Sequence, residues 1–329
     1  MLRCTLALIL LAAGTLSSAQ NPTNRDYQLT VDVELVELPI SVLDNHGLPV
    51  RGLQREHFTV FEDKLEQNIS LFKQEDVPLS IGLVIDGSGS MMDKRDKVST
   101  AAMTFVRESN PEDETAVFSF GDEAFLEQDF TSNTRKLSLA LEGIASNGKT
   151  ALYDAVFLAT KHLRHNSDRD KKVLIVISDG EDNQSQYKLK QVLNTMRESN
   201  VILYAVGLLK PFSPPSIYGV SGKDALKKLA EATGGASFFP QNVSEVEEIC
   251  RRIARDLRNQ YTIGYRPSNE KLDGSWRKIQ VRLNAPKSMS KLKVRTRQGY
   301  YAPRDTRSPS QQVAGESGQA QPLSKNTTR

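Results

Sequence analysis

The stretch VIDGSGSMM, residues 84–92, decides the fold and raises the first question about function. It follows the apolar run SIGLVI, which is typical of a strand buried on both faces. It then places Asp86, Ser88 and Ser90 at alternate positions with glycine between them. Four kinds of site are compatible with that pattern: a helix N-cap, a nucleophile turn, a phosphate-binding loop and a metal site.

The first two alternatives explain the stretch poorly. A helix N-cap needs one oxygen-bearing side chain, whereas this stretch carries three. The nucleophile turn of α/β hydrolases requires the pattern Gly-x-Ser-x-Gly, and neither Ser88 nor Ser90 has glycine at both required positions. None of the four histidines of the chain is placed by its local pattern to act as a general base for either serine.

The phosphate-loop alternative rests on a second stretch. Residues 143–150 read GIASNGKT and match the pattern Gly-x4-Gly-Lys-Thr. The run VLIVISD, which ends at Asp179, resembles the strand and acid that hold magnesium in such ATPases. A phosphate loop follows a buried strand, but the preceding run NTRKLSLALE has apolar residues at helical spacing, although part of it also alternates. A nucleotide-binding ATPase using Gly143–Thr150 therefore stays the alternative function.

The metal-site alternative gains support from residues far apart in the chain. Asp86, Ser88 and Ser90 offer three oxygen ligands, Thr150 adds a hydroxyl directly before a helical pattern, and Asp179 ends another buried strand. In a doubly wound sheet, ligands bind at the carboxyl ends of the strands, where the winding reverses. Neutral hydroxyls and carboxylates are hard ligands, so the pattern predicts Mg²⁺, with Mn²⁺ or Ca²⁺ as alternatives.

The spacing of apolar residues differs between the centre of the chain and the segments on either side of it. The centre alternates short apolar runs such as IGLVI and VLIVIS with helical patterns. This alternation predicts an α/β fold: a doubly wound, mostly parallel sheet with helices on both faces. Segments on either side of the centre instead show the period of two that is typical of strands. Neither flank has enough strands for a sheet of its own, so we expect the centre to be inserted in a smaller, sandwich-like β domain.

These patterns give five segments. Residues 1–19 have the composition of a signal peptide, with cleavage expected after Ala19, which predicts a secreted or periplasmic protein. Residues 20–76 and 259–303 form the two halves of the β domain, and residues 77–258 form the α/β domain. Residues 304–329 contain almost no large apolar side chains and are predicted to be disordered.

Composition narrows the functional classes. The 329 residues include 43 basic and 40 acidic side chains, a net charge of +3 that argues against nucleic-acid binding. Removal of the signal peptide would leave one cysteine, Cys250, so an internal disulfide is excluded. Cys250 shares a helical face with apolar neighbours in VEEICRRIARDL and is predicted to be a core residue. After signal cleavage no apolar run is long enough for a stable membrane span.

Taken as a set, these residues resemble a von Willebrand factor A domain over residues 77–258. The matching features are Asp-x-Ser-x-Ser after a first strand, a threonine before a central helix and SDGED after a later strand. The flanking stretches LDNHGLPVRGLQREHFTVFEDKLEQNISLF and YTIGYRP resemble secreted bacterial proteins with this domain. The resemblance implies that Asp86, Ser88, Ser90, Thr150 and Asp179 form a metal-ion-dependent adhesion site.

The resemblance also implies a function in binding and not in catalysis. In such domains an Asp or Glu of a protein partner completes the coordination of the metal. We therefore expect an exported adhesion-type module, not an enzyme, with no catalytic residues. The long loop LLKPFSPPSIYGVSG follows a strand and is the candidate for further contact with the partner, through Phe212, Ile217 and Tyr218.

Overall fold

The computed structural model describes residues 35–209, 220–286, 289 and 291–304. Within these residues the chain forms fourteen strands and six α-helices. The strands are β1 (Val36–Leu43), β2 (Phe58–Glu62), β3 (Leu65–Gln67), β4 (Ile69–Lys73), β5 (Leu79–Asp86), β6 (Glu114–Phe120), β7 (Ala124–Thr131), β8 (Lys171–Ser178), β9 (Val201–Gly207), β10 (Ser237–Phe238), β11 (Tyr261–Tyr265), β12 (Trp276–Leu283), β13 (Lys293–Arg295) and β14 (Gly299–Tyr301). The helices are α1 (Arg95–Glu108), α2 (Thr134–Gly143), α3 (Leu152–Asn166), α4 (Leu189–Glu198), α5 (Gly222–Thr233) and α6 (Val246–Leu257).

The central sheet has six strands in the order β10-β9-β8-β5-β6-β7. All neighbouring pairs are parallel except β6 and β7, which are antiparallel. The chain moves from β5 to β6 on one side and then crosses back to place β8 on the other side of β5. The winding therefore reverses between β5 and β8, and this reversal is where doubly wound sheets bind their ligands.

Burial on both faces explains why β5 and β8 are nearly unbroken apolar runs. Every residue of β5 is buried, and so are the last six residues of β8. One core lies between the sheet and helices α1, α2 and α6, and a second lies between the sheet and helices α3, α4 and α5. Cys250 on α6 belongs to the first core, as its sequence context predicts, and burial raises the pKa of its thiol to about 12.

Local signals fix the ends of two helices. The side chain of Asn133 accepts hydrogen bonds from the amide N–H groups of Arg135 and Lys136 and caps α2. Ser221 caps α5 in the same way through the amide of Asp224. Gly234 ends α5 with φ of 79°, a left-handed conformation that glycine adopts without steric cost.

Two four-stranded antiparallel sheets are built from both ends of the described chain. Their strand orders are β13-β1-β11-β4 and β14-β12-β2-β3. Leu38 of β1 lies opposite Ile263 of β11, and Val60 of β2 lies opposite Val281 of β12. The facing side chains of the two sheets form a third core. This confirms the predicted fold class, an α/β domain with a mostly parallel sheet inserted in a smaller, sandwich-like β domain.

A buried polar cluster joins the two parts of the chain. Asp256 on α6 accepts hydrogen bonds from the Tyr204 hydroxyl, at 2.7 Å, and from Arg295 of β13. Arg295 also donates to the hydroxyls of Tyr204 and of Ser41 on β1, at 3.1 and 3.0 Å. The last helix of the α/β domain is therefore held to the β sheets by an ion pair with little access to water.

Three predicted segments fall wholly or largely outside the described residues: the signal peptide, the beginning of the first β segment and the C-terminal tail. Within the ranges given above, no helix combines the length and apolar character that crossing a bilayer requires.

Candidate metal centre

The loop after β5 turns sharply at Asp86. The amide N–H of Gly87 donates to the carbonyl of Phe120 at 2.7 Å, and the amide of Ser88 donates to Oδ1 of Asp86 at 2.9 Å. A Cβ at Gly87 would lie 2.6 Å from the carbonyl oxygen of Ala145, so this position requires glycine. The turn brings the hydroxyls of Ser88 and Ser90 to 3.1 Å from each other.

The end of β8 places a second carboxylate against this loop. Asp179 is 1% exposed, and its Oδ2 accepts a 2.5 Å hydrogen bond from the hydroxyl of Ser90. Ser178, the last residue of β8, donates to Oδ2 of Asp86 at 2.6 Å. The loops after β5 and β8 therefore meet where the winding of the sheet reverses.

Thr150 is held at the same edge by backbone contacts. Its amide N–H donates to Oδ1 of Asn183 at 3.0 Å, and its carbonyl accepts from the amide of Asn183 at 3.0 Å. The amide of Gly89 donates to the carbonyl of Gly148 at 3.3 Å, which ties the two loops together. Thr150 is buried, and no described hydrogen bond in this part of the chain uses its hydroxyl.

The electrostatics of the site favour a cation. Burial and, after it, the nearby charge of Asp179 raise the pKa of Asp86, whereas hydrogen bonds from Ser178 and Ser88 lower it; the balance leaves the pKa at about 6. Among the described residues, no lysine, arginine or histidine forms an ion pair with either carboxylate. A bound divalent cation would offset both the burial and the repulsion.

The donor set fits a hard divalent ion. Three hydroxyls and two carboxylates are oxygen ligands, which suit Mg²⁺, Mn²⁺ and Ca²⁺. Within the described ranges, no group of three or more His, Cys, Asp and Glu side chains is placed to hold a metal ion by itself. A metal at this edge would therefore depend on the serine and threonine hydroxyls as well as on the carboxylates.

The structure also shows supporting residues that the sequence patterns did not single out. Ser178 orients Asp86, and Asn183 orients Thr150. Asp122 accepts a hydrogen bond from the amide of Lys149 at 2.9 Å. Ser178 stands beside Asp179 in the sequence, but nothing in the sequence shows that its side chain points towards Asp86.

The segment that matches the phosphate-loop pattern does not have the structural context of a phosphate loop. Gly143 is the last residue of α2, so residues 143–150 join two helices and do not follow a strand. The ammonium of Lys149 donates to Oε1 of Gln184 at 3.1 Å. This geometry gives no support to the ATPase alternative. The proposed partner-binding residues Phe212, Ile217 and Tyr218 lie outside the described residues.

The solved structures to which the chain is similar include bacterial proteins and a protein from a mussel. The chain is similar to BatB from Bacteroides thetaiotaomicron, at 18% identity and a TM-score of 0.44, over 55% of this chain and 100% of that one. A von Willebrand factor type A protein from Catenulispora acidiphila has 11% identity and a TM-score of 0.48, over 84% and 76%. Proximal thread matrix protein 1 from the mussel byssus, with zinc in its MIDAS motif, has 17% identity and a TM-score of 0.46, over 60% and 49%.

The sequence comparisons gave one positive result. A search of curated proteins found no sequence that matches this chain. The family model of the von Willebrand factor type A domain matches residues 80–252, which is more than half of the chain. That interval contains all but the first residue of β5, all of β8 and all five residues of the candidate metal centre. The chain therefore belongs to the von Willebrand factor type A domain family.

Proposed function

We propose that this chain is an exported, metal-dependent protein-binding module. Asp86, Ser88, Ser90, Thr150 and Asp179 would hold the metal, and a carboxylate of a protein partner would complete its coordination. The observation that carries the proposal is the contact between the two loops: the Ser90 hydroxyl lies 3.1 Å from that of Ser88 and 2.5 Å from Oδ2 of Asp179.

Charge explains why the partner group should be a carboxylate. Asp86 and Asp179 together supply at most two negative charges, and the hydroxyl ligands supply none. The ion keeps Lewis acidity for a further ligand, and an anionic oxygen adds charge attraction to a direct bond. The Ser90 hydroxyl and the Asp179 carboxylate to which it donates are both assigned to the metal, so the proposed activity is recognition and not a reaction.

The metal itself is most consistent with Mg²⁺, with Mn²⁺ or Ca²⁺ as alternatives, because hydroxyls and carboxylates are hard ligands. The proposal that the protein is exported rests on the composition of residues 1–19. The loop that carries Phe212, Ile217 and Tyr218 follows β9, whose carboxyl end lies at the same edge of the sheet as the ends of β5 and β8. We propose that this loop adds apolar contact with the partner.

Calorimetry with Mg²⁺ tests the metal site. We expect Asp86→Asn and Asp179→Asn to lower affinity by about 100-fold, since each removes a charged ligand while keeping the side-chain shape. Asp96→Asn, a change of the same kind at an exposed position on α1, should leave affinity unchanged. Equal Mg²⁺ affinity in the wild type and in Asp179→Asn would contradict the ligand assignment.

A pull-down from the native extracytoplasmic environment tests whether this chain recognises a partner protein. The protein should retain a partner in the presence of Mg²⁺ and release it on chelation. The Asp179→Asn variant should capture that partner no better than chelated wild type. A partner that stays bound at full strength in excess chelator would show that recognition does not use the metal.

A further inference from the structure

A cavity of about 410 Å³ opens beside the candidate metal centre. Its floor includes Gly87, the residue that follows Asp86. Its walls come from the turn between β6 and β7 on one side and from the connection between α2 and α3 on the other. The amide of Asn147 on that connection donates to the carbonyl of Gly87 at 2.8 Å. The cavity and the metal loop therefore share a wall.

The cavity is strongly acidic. Asp122, Glu123 and Glu127 line it, and none of the described residues that line it is a lysine, arginine or histidine. Asp122 is engaged with the amide of Lys149, but the ammonium of Lys149 binds Gln184 and does not neutralise the cavity. Glu127 accepts a hydrogen bond from the neutral hydroxyl of Ser119. Three carboxylates thus share this cavity without a cation.

The strand that contributes Phe125 and Glu127 to the cavity is an edge strand of the central sheet. β7 ends the central sheet, and Phe125 and Leu126 are 53% and 41% exposed. Farther along β7, the amide of Phe130 is satisfied by Oδ1 of Asp129, and the carbonyl of Asp129 by Gln128. Among the described residues, no comparable side-chain contact covers the backbone of residues 124–127. Unpaired strand edges of this kind are sites where another chain can dock.

We propose that this acidic groove, formed by Asp122, Glu123, Phe125, Glu127 and Asn147, receives a lysine or arginine side chain of the protein partner. The inference rests on the proposed function, because it assigns the basic side chain to the same partner whose carboxylate binds the metal. The carboxylates supply charge-assisted hydrogen bonds, and the exposed Phe125 ring supplies a surface for the cation or its aliphatic stem. A second copy of this chain is disfavoured, because pairing two β7 strands would bring like charges together.

Nuclear magnetic resonance with two small probes tests the groove without any partner. Ethylguanidinium carries the proposed charge, and ethylurea is its neutral match. We expect ethylguanidinium to shift the amide signals of residues 121–127 and 143–147, and ethylurea to leave them in place. The double variant Glu123→Gln, Glu127→Gln should bind ethylguanidinium about fivefold more weakly, since exposed carboxylates contribute modestly. Glu198→Gln, an exposed change on α4, should bind it like the wild type.

A Mg²⁺ titration of the same samples separates this inference from the proposed function. The assignment of the groove would be wrong if the protein bound Mg²⁺ normally but showed no localised response to ethylguanidinium. It would also be wrong if the double variant responded to ethylguanidinium as the wild type does. Failure to bind Mg²⁺ would overturn the metal site instead. When both sites respond, peptides that carry Arg and Asp at spacings of one to five residues test the two sites together. In the presence of Mg²⁺ they should bind the protein more tightly than matched peptides in which citrulline replaces Arg. Equal binding of the two series would show that the groove does not serve the partner.

Discussion

The hydroxyl of Ser178 lies between the two loops of the metal centre: it donates to Oδ2 of Asp86 at 2.6 Å and accepts from the amide of Gly180 at 2.9 Å. Ser178 is fully buried, so water does not replace these contacts readily. One side chain at the end of β8 therefore fixes both the carboxylate that ends β5 and the turn that carries Asp179.

Ser178→Ala should weaken Mg²⁺ binding by about tenfold, because residues that orient metal ligands contribute that much without touching the ion. Ser178→Thr keeps the hydroxyl and should restore most of the affinity. Calorimetry measures both. The melting temperature of the metal-free protein should be followed as well, since an equal loss of stability in both variants would point to a packing defect. Unchanged affinity in Ser178→Ala would show that Asp86 needs no such support.

Substitutions of the neighbouring residues Thr150 and Lys149 should differ in their effect on Mg²⁺ affinity. Thr150→Ala removes a hydroxyl ligand and should lower Mg²⁺ affinity by about tenfold or more. Lys149→Ala removes an exposed ammonium that binds Gln184 and should leave Mg²⁺ affinity unchanged. ATP hydrolysis that disappears in Lys149→Ala would reverse this interpretation and revive the nucleotide-binding alternative.

The central sheet was predictable because its strands are buried on both faces. Continuous apolar runs in β5 and β8 distinguish such strands from the helical patterns between them. Asp86 ends β5 and Asp179 directly follows β8, so the parallel winding places both carboxylates at one edge of the sheet. Thr150 instead lies between two helices, and its position depends on backbone contacts with Asn183 that the sequence does not show.

The edge strand β7 was not predicted, and its composition explains why. It reads AFLEQDFT, in which Phe125 and Leu126 are adjacent and both exposed, so the sequence shows no alternation of buried and exposed residues. Pairing with β6 makes it a strand, and that pairing contains irregularities in register. Ser178 and Asn183 escaped prediction for a related reason, because their importance lies in tertiary contacts between separate loops.

Lys171 gives stability a specific pH dependence. Burial lowers the pKa of its ammonium from 10.5 to about 8, although Asp256, Asp76 and Asp113 act in the opposite direction. Between these values the unfolded chain holds more protons than the folded one, so the free energy of unfolding rises with pH. Urea unfolding in chelator should show the wild type gaining stability relative to Lys171→Met from about pH 8 to 10.5. A constant difference across that interval would contradict the lowered pKa.

The pairing of strands predicts how fragments behave. β1 pairs with β11 and β13, both from the C-terminal segment, and β2 pairs with β12 as well as β3. A fragment of residues 20–76 lacks β11, β12 and β13 and should be unfolded by circular dichroism. A fragment of residues 77–258 keeps all six strands of the central sheet and should fold and bind Mg²⁺. A stably folded 20–76 fragment would show that the first β segment is an independent domain.

The last prediction concerns the ion pair that joins the two parts of the chain. Asp256 is 5% exposed, and Arg295 reaches it from β13. Arg295→Met leaves a buried carboxylate without its cation and should lower the free energy of unfolding by about 2 kcal/mol. This loss is smaller than for a fully buried ion pair, because Arg295 retains some exposure to solvent. Asp256→Asn in the same background removes the unpaired charge, so the double variant should be more stable than Arg295→Met alone. Urea unfolding of the two single variants and the double variant measures this coupling. Additive losses would mean that the two residues stabilise the junction independently and that the ion pair does not hold α6 to the β sheets.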